Sequence, residues 1–467
     1  MKEEVQSVDI VVLNGSPKGE QSVTLQYVRY LEKKFPQHQF FYFHIAEKIG
    51  KIEKDPTLFQ KIIDAVKAAD SVIWSFPLFY FLVPAQYKQF IELIWERHVE
   101  EAFHGKYTAV LTTSIHINDM MAHNYMNAIC DDLNMHYLGF HSASMYDLLR
   151  VKEREQVLHF AENVFTEIDK EAPSAKNYSP LAYSPMPYHP ARAQEKIDVG
   201  RTKIVLVTDA ESVQSNLKHM TERFVNACSG NVDLINLHNV AIKGGCLECL
   251  QCAYDNTCVY SGKDGYIDFF NSKIRNADIL VFAGAIRDRY LSSTWKLFFD
   301  RSFFNNHVPT LTNKQIGFII SGPLRQLPNL RQILESYAEA QQGNLGGLVT
   351  DEYENSEEID TLIQDMAERL IRYAAQGYMK PRTYLSVGVG KIIRDDLWSS
   401  MRFPFLADHK YFKKHGLYDF PHKKYKKRLQ NYLMLLLTKI PRIRRDIYTK
   451  NMMAETVKPL QKVVDEA

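Results

Sequence analysis

Two stretches of this 467-residue sequence share one pattern, in which an apolar strand-like run leads without a gap into a helix-like run. The first begins KAADSVIWSF and reaches a helical pattern that contains Lys88 and Glu92. The second, RNADILVFAGAIRDRYLSSTWKLFFDR, places Lys296 and Asp300 at the same two positions. Because strand, loop and helix correspond without an insertion, we interpret the chain as a tandem duplication of one folding unit.

Strand-like and helix-like patterns alternate in both copies. In the first copy, apolar strand-like runs begin near Asp9, Phe40 and Ser71, with helical patterns between them. This alternation predicts a parallel sheet with helices on both faces. The chain is also too long for a single hydrophobic core. The predicted fold class is α/β, with two tandem doubly wound parallel sheets and a basic, mainly helical C-terminal extension.

Shifts in composition indicate where the domains end. The stretch from Ala172 to Lys196 contains five prolines and no apolar period, which is typical of a semi-rigid linker. We predict a first domain at residues 1–170, a Pro-rich linker at 171–199, a second domain at 200–378 and the extension at 379–467.

The overall composition is that of an ordinary soluble protein. Apolar residues make up 45% of the chain, charged residues make up 24%, and the formal net charge is only +2. The N-terminus lacks the pattern of a secretory signal. The longest apolar run, Tyr432 to Leu437, is far shorter than the roughly 20 residues that span a bilayer. We therefore expect a cytoplasmic protein, whose thiols stay mostly reduced.

A loop rich in small and hydroxyl residues follows the first predicted strand. It reads LNGSPKGEQSVT and ends where a helical pattern begins. Unpaired amide groups and the helix dipole favour an anion at such a helix start. Gly15 would let the chain approach a ligand, the hydroxyls of Ser16, Ser22 and Thr24 would donate to it, and Lys18 would supply a positive charge. The loop predicts a phosphate site.

A second loop, in SFPLFYFLVPAQYKQFIE, follows the third predicted strand and offers aromatic and proline residues to a flat ring. Together the two loops resemble those of the NAD(P)H-dependent FMN reductases, which have the flavodoxin-like fold. Over residues 1–170 the resemblance implies bound FMN. It implies phosphate contacts from Ser16, Lys18, Ser22 and Thr24, and ring contacts from Pro77, Leu78, Phe79, Tyr80, Thr113 and Ser114.

Two residues near the expected ring position could donate a proton. Tyr80 lies in the ring loop, and His116 lies in the loop after the fourth strand. Each could instead be a plain ring contact. Phe79 stands where the family often has Tyr, so a hydroxyl function at that position is not expected. The resemblance also implies NAD(P)H as the electron donor, although the sequence has no separate dinucleotide fingerprint.

The second copy keeps the strand and helix pattern but not the loops. Asp209 and Ala210 replace the glycine and serine of the phosphate loop, and a carboxylate there would repel a phosphate. In the ring loop, Ala285, Arg287 and Asp288 replace a proline and two aromatic residues. We therefore predict that no flavin binds to the second domain.

Four of the six cysteines lie close together after the second strand of the second copy. Cys246, Cys249, Cys252 and Cys258 follow the spacing C-x2-C-x2-C-x5-C. Ferredoxin-type sequences open in a similar way, whereas structural zinc sites usually pair two separated C-x2-C arms. The spacing and its place in the fold resemble the iron–sulfur flavoproteins, which implies a 4Fe–4S cluster. A zinc site and a metal-free set of thiols remain open alternatives.

The function that these features predict is a flavin- and iron–sulfur-dependent oxidoreductase. The first domain would hold FMN and the second the cluster, and electrons would pass between a donor, either NAD(P)H or ferredoxin, and an unidentified small-molecule acceptor. One alternative is an electron-transfer flavoprotein that docks a protein partner. Another is a simple NAD(P)H:flavin or quinone reductase whose second domain holds structural zinc or no metal. Because family members are commonly dimers or larger, the resemblance also implies a homo-oligomer.

The C-terminal region is strongly basic, and residues 379–450 contain many more Lys and Arg than Asp and Glu. It could be a helical extension that packs its leucines on the domains, or a docking surface for an acidic, ferredoxin-like redox partner. Attachment to an anionic membrane ranks below these two interpretations. No nucleic-acid-binding motif is present, so we expect no nucleic-acid partner.

Overall fold

The computed structural model describes residues 7–191, 195–211, 214–230, 232–420, 422, 424–448 and 452–467. The chain divides into two compact units, residues 1–411 and residues 412–467. The first unit contains both sheets, and the second contains most of the basic extension.

In the described part of the chain, the first five strands form one sheet with the order β2-β1-β3-β4-β5, and all of the paired strands are parallel. The strands are β1 (Asp9–Asn14), β2 (Gln39–His44), β3 (Ser71–Pro77), β4 (Tyr107–Thr113) and β5 (His136–Ala143). Every residue of β3 is buried, as expected for a central strand with helices on both faces.

The second sheet has the same strand order, β7-β6-β8-β9-β10, and is also parallel. Its strands are β6 (Ile204–Thr208), β7 (Val232–Asn236), β8 (Ile279–Ala285), β9 (Gln315–Ser321) and β10 (Asn344–Thr350). The predicted fold class is thus confirmed. A common origin of the two halves stays an interpretation.

Helices cover both sheets. Those of the first domain are α1 (Val23–Lys34), α2 (Ile45–Ile52), α3 (Pro56–Ala68), α4 (Ala85–Glu96), α5 (Asp119–Asp132) and α6 (Val151–Asp169). Those of the second are α7 (Asn216–Ala227), α8 (Tyr266–Phe269), α9 (Ser293–Arg301), α10 (Pro328–Ala340) and α11 (Ser356–Gln376). Each sheet contributes alternate strand residues to its own apolar core, with Val12 central in the first domain and Leu206 in the second.

The two domains meet where α4 packs against α9, the helices that contain the repeated Lys and acidic positions. In this contact each domain supplies a carboxylate to the N-terminus of a helix of the other domain. The Asp300 carboxylate accepts a hydrogen bond from the Ala85 amide at 2.7 Å, and the Glu92 carboxylate accepts one from the Ser293 amide at 2.7 Å. Acidic side chains are favourable at helix N-termini, so each domain caps a helix of the other.

Two completely buried lysines lie within this contact. Lys88 is 2.6 Å from Glu92 and 2.9 Å from Asp288 of the other domain. Lys296 pairs with Asp300 and donates to the Phe79 carbonyl of the first domain at 3.0 Å. Buried ammonium groups need such partners, so these bonds fix how the domains are joined.

The linker lies against both domains. The amides of Asn177 and Tyr178 donate to Asp131 on α5. Further along, the Tyr183 hydroxyl donates to Asp351 at the end of β10, and the buried Tyr188 donates to Asp360 on α11. These bonds hold the linker along the carboxyl edge of the second sheet.

The extension is helical, with α12 (Tyr384–Trp398), α13 (Leu406–Lys414), α14 (Tyr425–Leu437), α15 (Pro441–Asp446) and α16 (Met452–Asp465). Within the first unit, α12 packs against α10. Among the helices that the structure describes, none combines the length and apolar character needed to cross a bilayer.

Candidate functional site

The predicted phosphate loop connects β1 to α1. The side chain of Asn14, the last residue of β1, makes two hydrogen bonds to the backbone of this loop. Its Nδ2 donates to the Gly19 carbonyl at 3.0 Å, and its Oδ1 accepts from the Ser16 amide at 3.1 Å. Ser22 caps α1 by accepting a hydrogen bond from the Leu25 amide at 3.2 Å. The first amides of a helix have no partner within the helix, so this turn presents donors at the carboxyl edge of the sheet.

Gly15 is required by packing within the protein. A Cβ atom at this position would lie 2.6 Å from the ring of Tyr87, which α4 places against the loop. The Tyr87 hydroxyl also donates to the Leu13 carbonyl at 2.7 Å. The sequence suggested that a ligand lies close to Gly15. In the structure the ring of Tyr87, from the same domain, occupies at least part of that space.

Lys18 contacts the other domain. Its Nζ lies 3.1 Å from a carboxylate oxygen of Glu248, which belongs to the cysteine loop. Burial raises the pKa of Glu248, and Lys18 partly opposes this by lowering it. The residue expected to bind a phosphate is thus paired with a half-buried acid that sequence reasoning did not identify.

The ring loop lies between the domains. The Leu78 amide donates to the Thr113 carbonyl at 3.0 Å, which ties the loop to β4. Tyr80 and Phe81 have left-handed backbones, with φ of 38° and 67°, a strained conformation for aromatic residues. The Tyr80 hydroxyl accepts from the Ser302 hydroxyl of the second domain at 3.1 Å, and burial raises the pKa of Tyr80. Tyr80 is therefore directed toward the second domain.

The loop after β4 contains a hydrogen-bonded histidine. His116 has a left-handed backbone with φ of 58°; its Nδ1 lies 3.0 Å from Asp119 and its Nε2 lies 2.9 Å from the Ser144 hydroxyl. The hydrogen bond with Asp119 raises the pKa of His116, and the same bond lowers the pKa of Asp119 to about 2. This loop can hold a proton near neutral pH.

The remaining predicted flavin contacts lie between these loops. Thr24 on α1 and Thr113 at the end of β4 share a hydrogen bond of 2.5 Å between their hydroxyls. Ser114 accepts from the His116 amide at 2.9 Å. Pro77 ends β3, and Phe79 packs its ring against Phe303 of the second domain. The structure thus brings the predicted phosphate and ring residues to one edge of the first sheet.

The four clustered cysteines line one cavity in the loop between β7 and α8, together with Tyr260, Arg301 and Phe303. Cys252 is buried and Cys249 is exposed. This loop touches the first domain twice, through the pair between Lys18 and Glu248 and through Gln86 of α4, whose Nε2 donates to the Cys246 carbonyl at 2.9 Å. The cysteine cavity therefore adjoins the phosphate loop.

The cysteine cavity has the donors for a metal cluster but not the arrangement of a metal site. Burial raises the pKa of Cys252 to about 12, with the nearby Cys258 and Cys249 adding to the effect. Arg301 lines the same cavity, and its buried Nε has no hydrogen-bond partner in the part of the chain that the structure describes. Within the described residues, no group of three or more His, Cys, Asp or Glu side chains is positioned to hold a metal ion. The four thiols and the guanidinium N–H are groups of the types that bind an iron–sulfur cluster. The thiols are not, however, arranged as the ligands of one metal site.

The corresponding crevice of the second domain has an acidic lining. Asp209 accepts a hydrogen bond from the Ser292 hydroxyl at 2.5 Å, and burial raises the pKa of Asp209. At the end of β10, Asp351 accepts hydrogen bonds from Ser321 and from Tyr183 of the linker. These contacts are consistent with the expectation that no flavin binds here, which stays a prediction.

A parallel sheet of order 2-1-3-4-5, with a phosphate-type loop after its first strand and an aromatic loop after its third, defines a flavodoxin-like nucleotide-binding domain. Residues 8–145 match the family of NADPH-dependent FMN reductases. The resemblance predicted from the two loops is thus confirmed over these residues, and the first domain is an FMN-dependent NAD(P)H oxidoreductase domain.

Solved structures offer similar folds at low identity. An NADH:FMN oxidoreductase in its apo form is 16% identical, with 36% of this chain and 92% of that chain covered and a TM-score of 0.30. An NAD(P)H:acceptor oxidoreductase from Paracoccus denitrificans is 18% identical, with 34% and 98% covered and a TM-score of 0.28. General stress protein 14 from Treponema denticola, in complex with FMN, is 15% identical, with 35% and 98% covered and a TM-score of 0.27. No curated protein matches the chain.

Proposed function

We propose that this chain is an NAD(P)H-dependent oxidoreductase in which FMN in the first domain and a 4Fe–4S cluster in the second exchange electrons on the way to a small-molecule acceptor. The observation that supports this division is the direct contact between the two loops. Glu248 of the cysteine loop lies against Lys18 of the phosphate loop, and Gln86 binds the Cys246 carbonyl.

In this proposal the first domain binds and orients FMN. The hydroxyls of Ser16, Ser22 and Thr24, with the first amides of α1, donate to the phosphate, and the ammonium of Lys18 balances its charge. When bound, FMN accepts two electrons as hydride and can release them singly. The ring loop from Pro77 to Tyr80 supplies one side of the ring site, and Thr113 and Ser114 supply its edge.

His116 is the better candidate for the proton donor of the two that the sequence offered. Asp119 holds its ring and favours its protonated form, and the Ser144 hydroxyl contacts the other ring nitrogen. Tyr80 instead directs its hydroxyl to Ser302, and its raised pKa makes it a poor acid at neutral pH. We assign to Tyr80 the role of joining the ring loop to the second domain.

Cys246, Cys249, Cys252 and Cys258 would hold the cluster after losing their thiol protons. When bound, a 4Fe–4S cluster supplies one-electron transfer. Arg301 pairs through its terminal nitrogens with Asp264, and its Nε, which has no hydrogen-bond partner among the described residues, would donate toward a cluster sulfur.

The first test is iron, sulfide, zinc and flavin analysis of one anaerobic preparation, repeated for Cys249→Ser. The matched control is Cys228→Ser, because Cys228 is a cysteine of the same domain outside the cavity. We expect about four iron and four sulfide per chain, lost in Cys249→Ser but kept in Cys228→Ser, with flavin present in all three. Flavin with zinc, or flavin without metal, would contradict the cluster and favour a simple flavin reductase.

The electron donor is tested on the same preparation. We expect NADH or NADPH to reduce the flavin without another protein. Reduction only by a reduced ferredoxin would favour the electron-transfer flavoprotein instead. A homo-oligomer and a cytoplasmic location remain predictions from the sequence.

A further inference from the structure

The second compact unit contains a segment of unusual charge. Residues 420–445, FPHKKYKKRLQNYLMLLLTKIPRIRR, include nine Lys or Arg residues and no Asp or Glu. The whole chain has a formal net charge of only +2, so the residues outside this segment carry a net charge of −7. The net positive charge of the chain therefore comes from this short stretch, because the remaining residues together are net negative.

Helix α14 lies in the middle of this segment, and none of its residues is buried. Its apolar side chains are 39–63% exposed: Leu429, Tyr432, Leu433, Met434, Leu435, Leu436 and Leu437. In the next turn Ile440 is 49% exposed. Leu429, Leu433 and Leu436 lie on one helical face, Met434 and Leu435 extend the apolar surface around the helix, and Ile440 follows just after the helix ends. Contiguous exposed apolar surface of this kind marks an interaction site.

The order of charge and apolar residues favours one kind of partner. Lys424, Lys426, Lys427 and Arg428 precede the apolar turns, and Lys439, Arg442, Arg444 and Arg445 follow them. A helix in a protein groove needs one apolar stripe, whereas these turns are apolar on most sides. A nucleic acid would use the charges but would leave the leucines in water. A bilayer surface with anionic headgroups can accommodate both.

We propose that residues 424–446 dock the chain on an anionic lipid surface, with α14 lying in the plane of the headgroup region. The leucines would enter the acyl boundary, and the basic residues on both sides would contact lipid phosphates. The 13 residues of α14 are too few to span a bilayer, so the binding is peripheral. This inference does not rest on the proposed redox function.

The test is co-sedimentation of the full-length protein with vesicles of phosphatidylcholine alone or mixed with phosphatidylglycerol. We expect binding to the mixed vesicles only, weakened by salt. Each basic residue near an anionic surface contributes about fivefold to partitioning, so Lys426→Gln/Lys427→Gln/Arg428→Gln should weaken binding about 100-fold. Leu433→Glu/Leu436→Glu should abolish binding while flavin absorbance stays unchanged.

The control variant is Leu149→Glu/Val151→Glu, which makes the same kind of change at exposed apolar positions of the first domain. It should sediment with anionic vesicles like the unmodified protein. Equal binding to both vesicle types, or retained binding by Leu433→Glu/Leu436→Glu, would overturn the proposal. Failure to bind vesicles, with a concentration-dependent mass increase that the leucine variant removes, would identify the face as a contact between copies and would also overturn it.

Discussion

Replacement of Asp300 by Asn tests how the two domains are held together. Asp300 is completely buried, pairs with Lys296 on the same helix, and accepts a hydrogen bond from the Ala85 amide of the other domain. The variant keeps the size of the side chain but removes its charge. Lys296 is also completely buried. Asparagine offers one acceptor oxygen where Asp300 has two, so it can serve either Lys296 or the Ala85 amide but not both, and it leaves the buried ammonium without the charge of Asp300. Removing one partner of a buried ion pair costs about 3–5 kcal/mol, so Asp300→Asn should lower the free energy of unfolding by that amount.

The matched control is Asp365→Asn, which removes an exposed pair of the same spacing, with Arg369 on α11. Pairs of this kind contribute about 0.3–0.5 kcal/mol. Urea unfolding followed by tryptophan fluorescence would compare both variants with the unmodified protein, since Trp295 lies on α9 beside the contact. A change in the free energy of unfolding by Asp300→Asn no larger than that by Asp365→Asn would refute a stabilising role for the buried pair.

Two further predictions concern the loops of the first domain. Glu248→Gln removes the carboxylate charge beside Lys18, so the FMN dissociation constant should fall about fivefold, as measured by quenching of flavin fluorescence. The control Glu335→Gln, which changes a half-buried glutamate paired with Arg331 on α10, should leave it unchanged. Weaker FMN binding by Glu248→Gln would contradict the proposed phosphate site. Because Asp119 raises the pKa of His116, their pair stabilises the fold below the ordinary histidine pKa of 6.5, and this contribution is lost as the pH rises through the raised value. Urea unfolding should therefore show a larger destabilisation by Asp119→Asn at about pH 5 than at about pH 9, and an equal destabilisation would argue against the pair.

The sequence predicted the fold because its signals are local. A continuous apolar strand such as β3, followed by a loop and an amphipathic helix, identifies a doubly wound unit from neighbouring residues alone. The turn between β1 and α1 was predicted in the same way, since Ser22 both caps α1 and belongs to the loop motif, and its phosphate site stays a prediction. The grouping of the four cysteines in one cavity also follows from their short spacing.

The rest depends on contacts between residues far apart in the chain. Glu248 reaches Lys18 only because the second domain packs on the first, and no local pattern marks a glutamate between cysteines as a partner of a phosphate loop. The sequence indicates only a ring contact or proton donor at Tyr80, whereas in the structure Ser302 of the other domain donates a hydrogen bond to its hydroxyl. Gly15 looked like a ligand-binding glycine, whereas its nearest neighbour is the ring of Tyr87.

The loop of the second domain that corresponds to the ring loop takes part in the contact between the domains. In the gap-free correspondence of the two halves, Asp288 takes the position of Tyr80. Asp288 is the carboxylate that pairs across the interface with the buried Lys88 at 2.9 Å, whereas Lys296 must use the backbone carbonyl of Phe79. The residue that stands in the second domain where the first has an aromatic ring residue therefore supplies a buried charge partner to the first domain. Tyrosine at position 288 would leave Glu92 as the one carboxylate paired with Lys88 among the described residues, so the difference between the two loops also stabilises the interface.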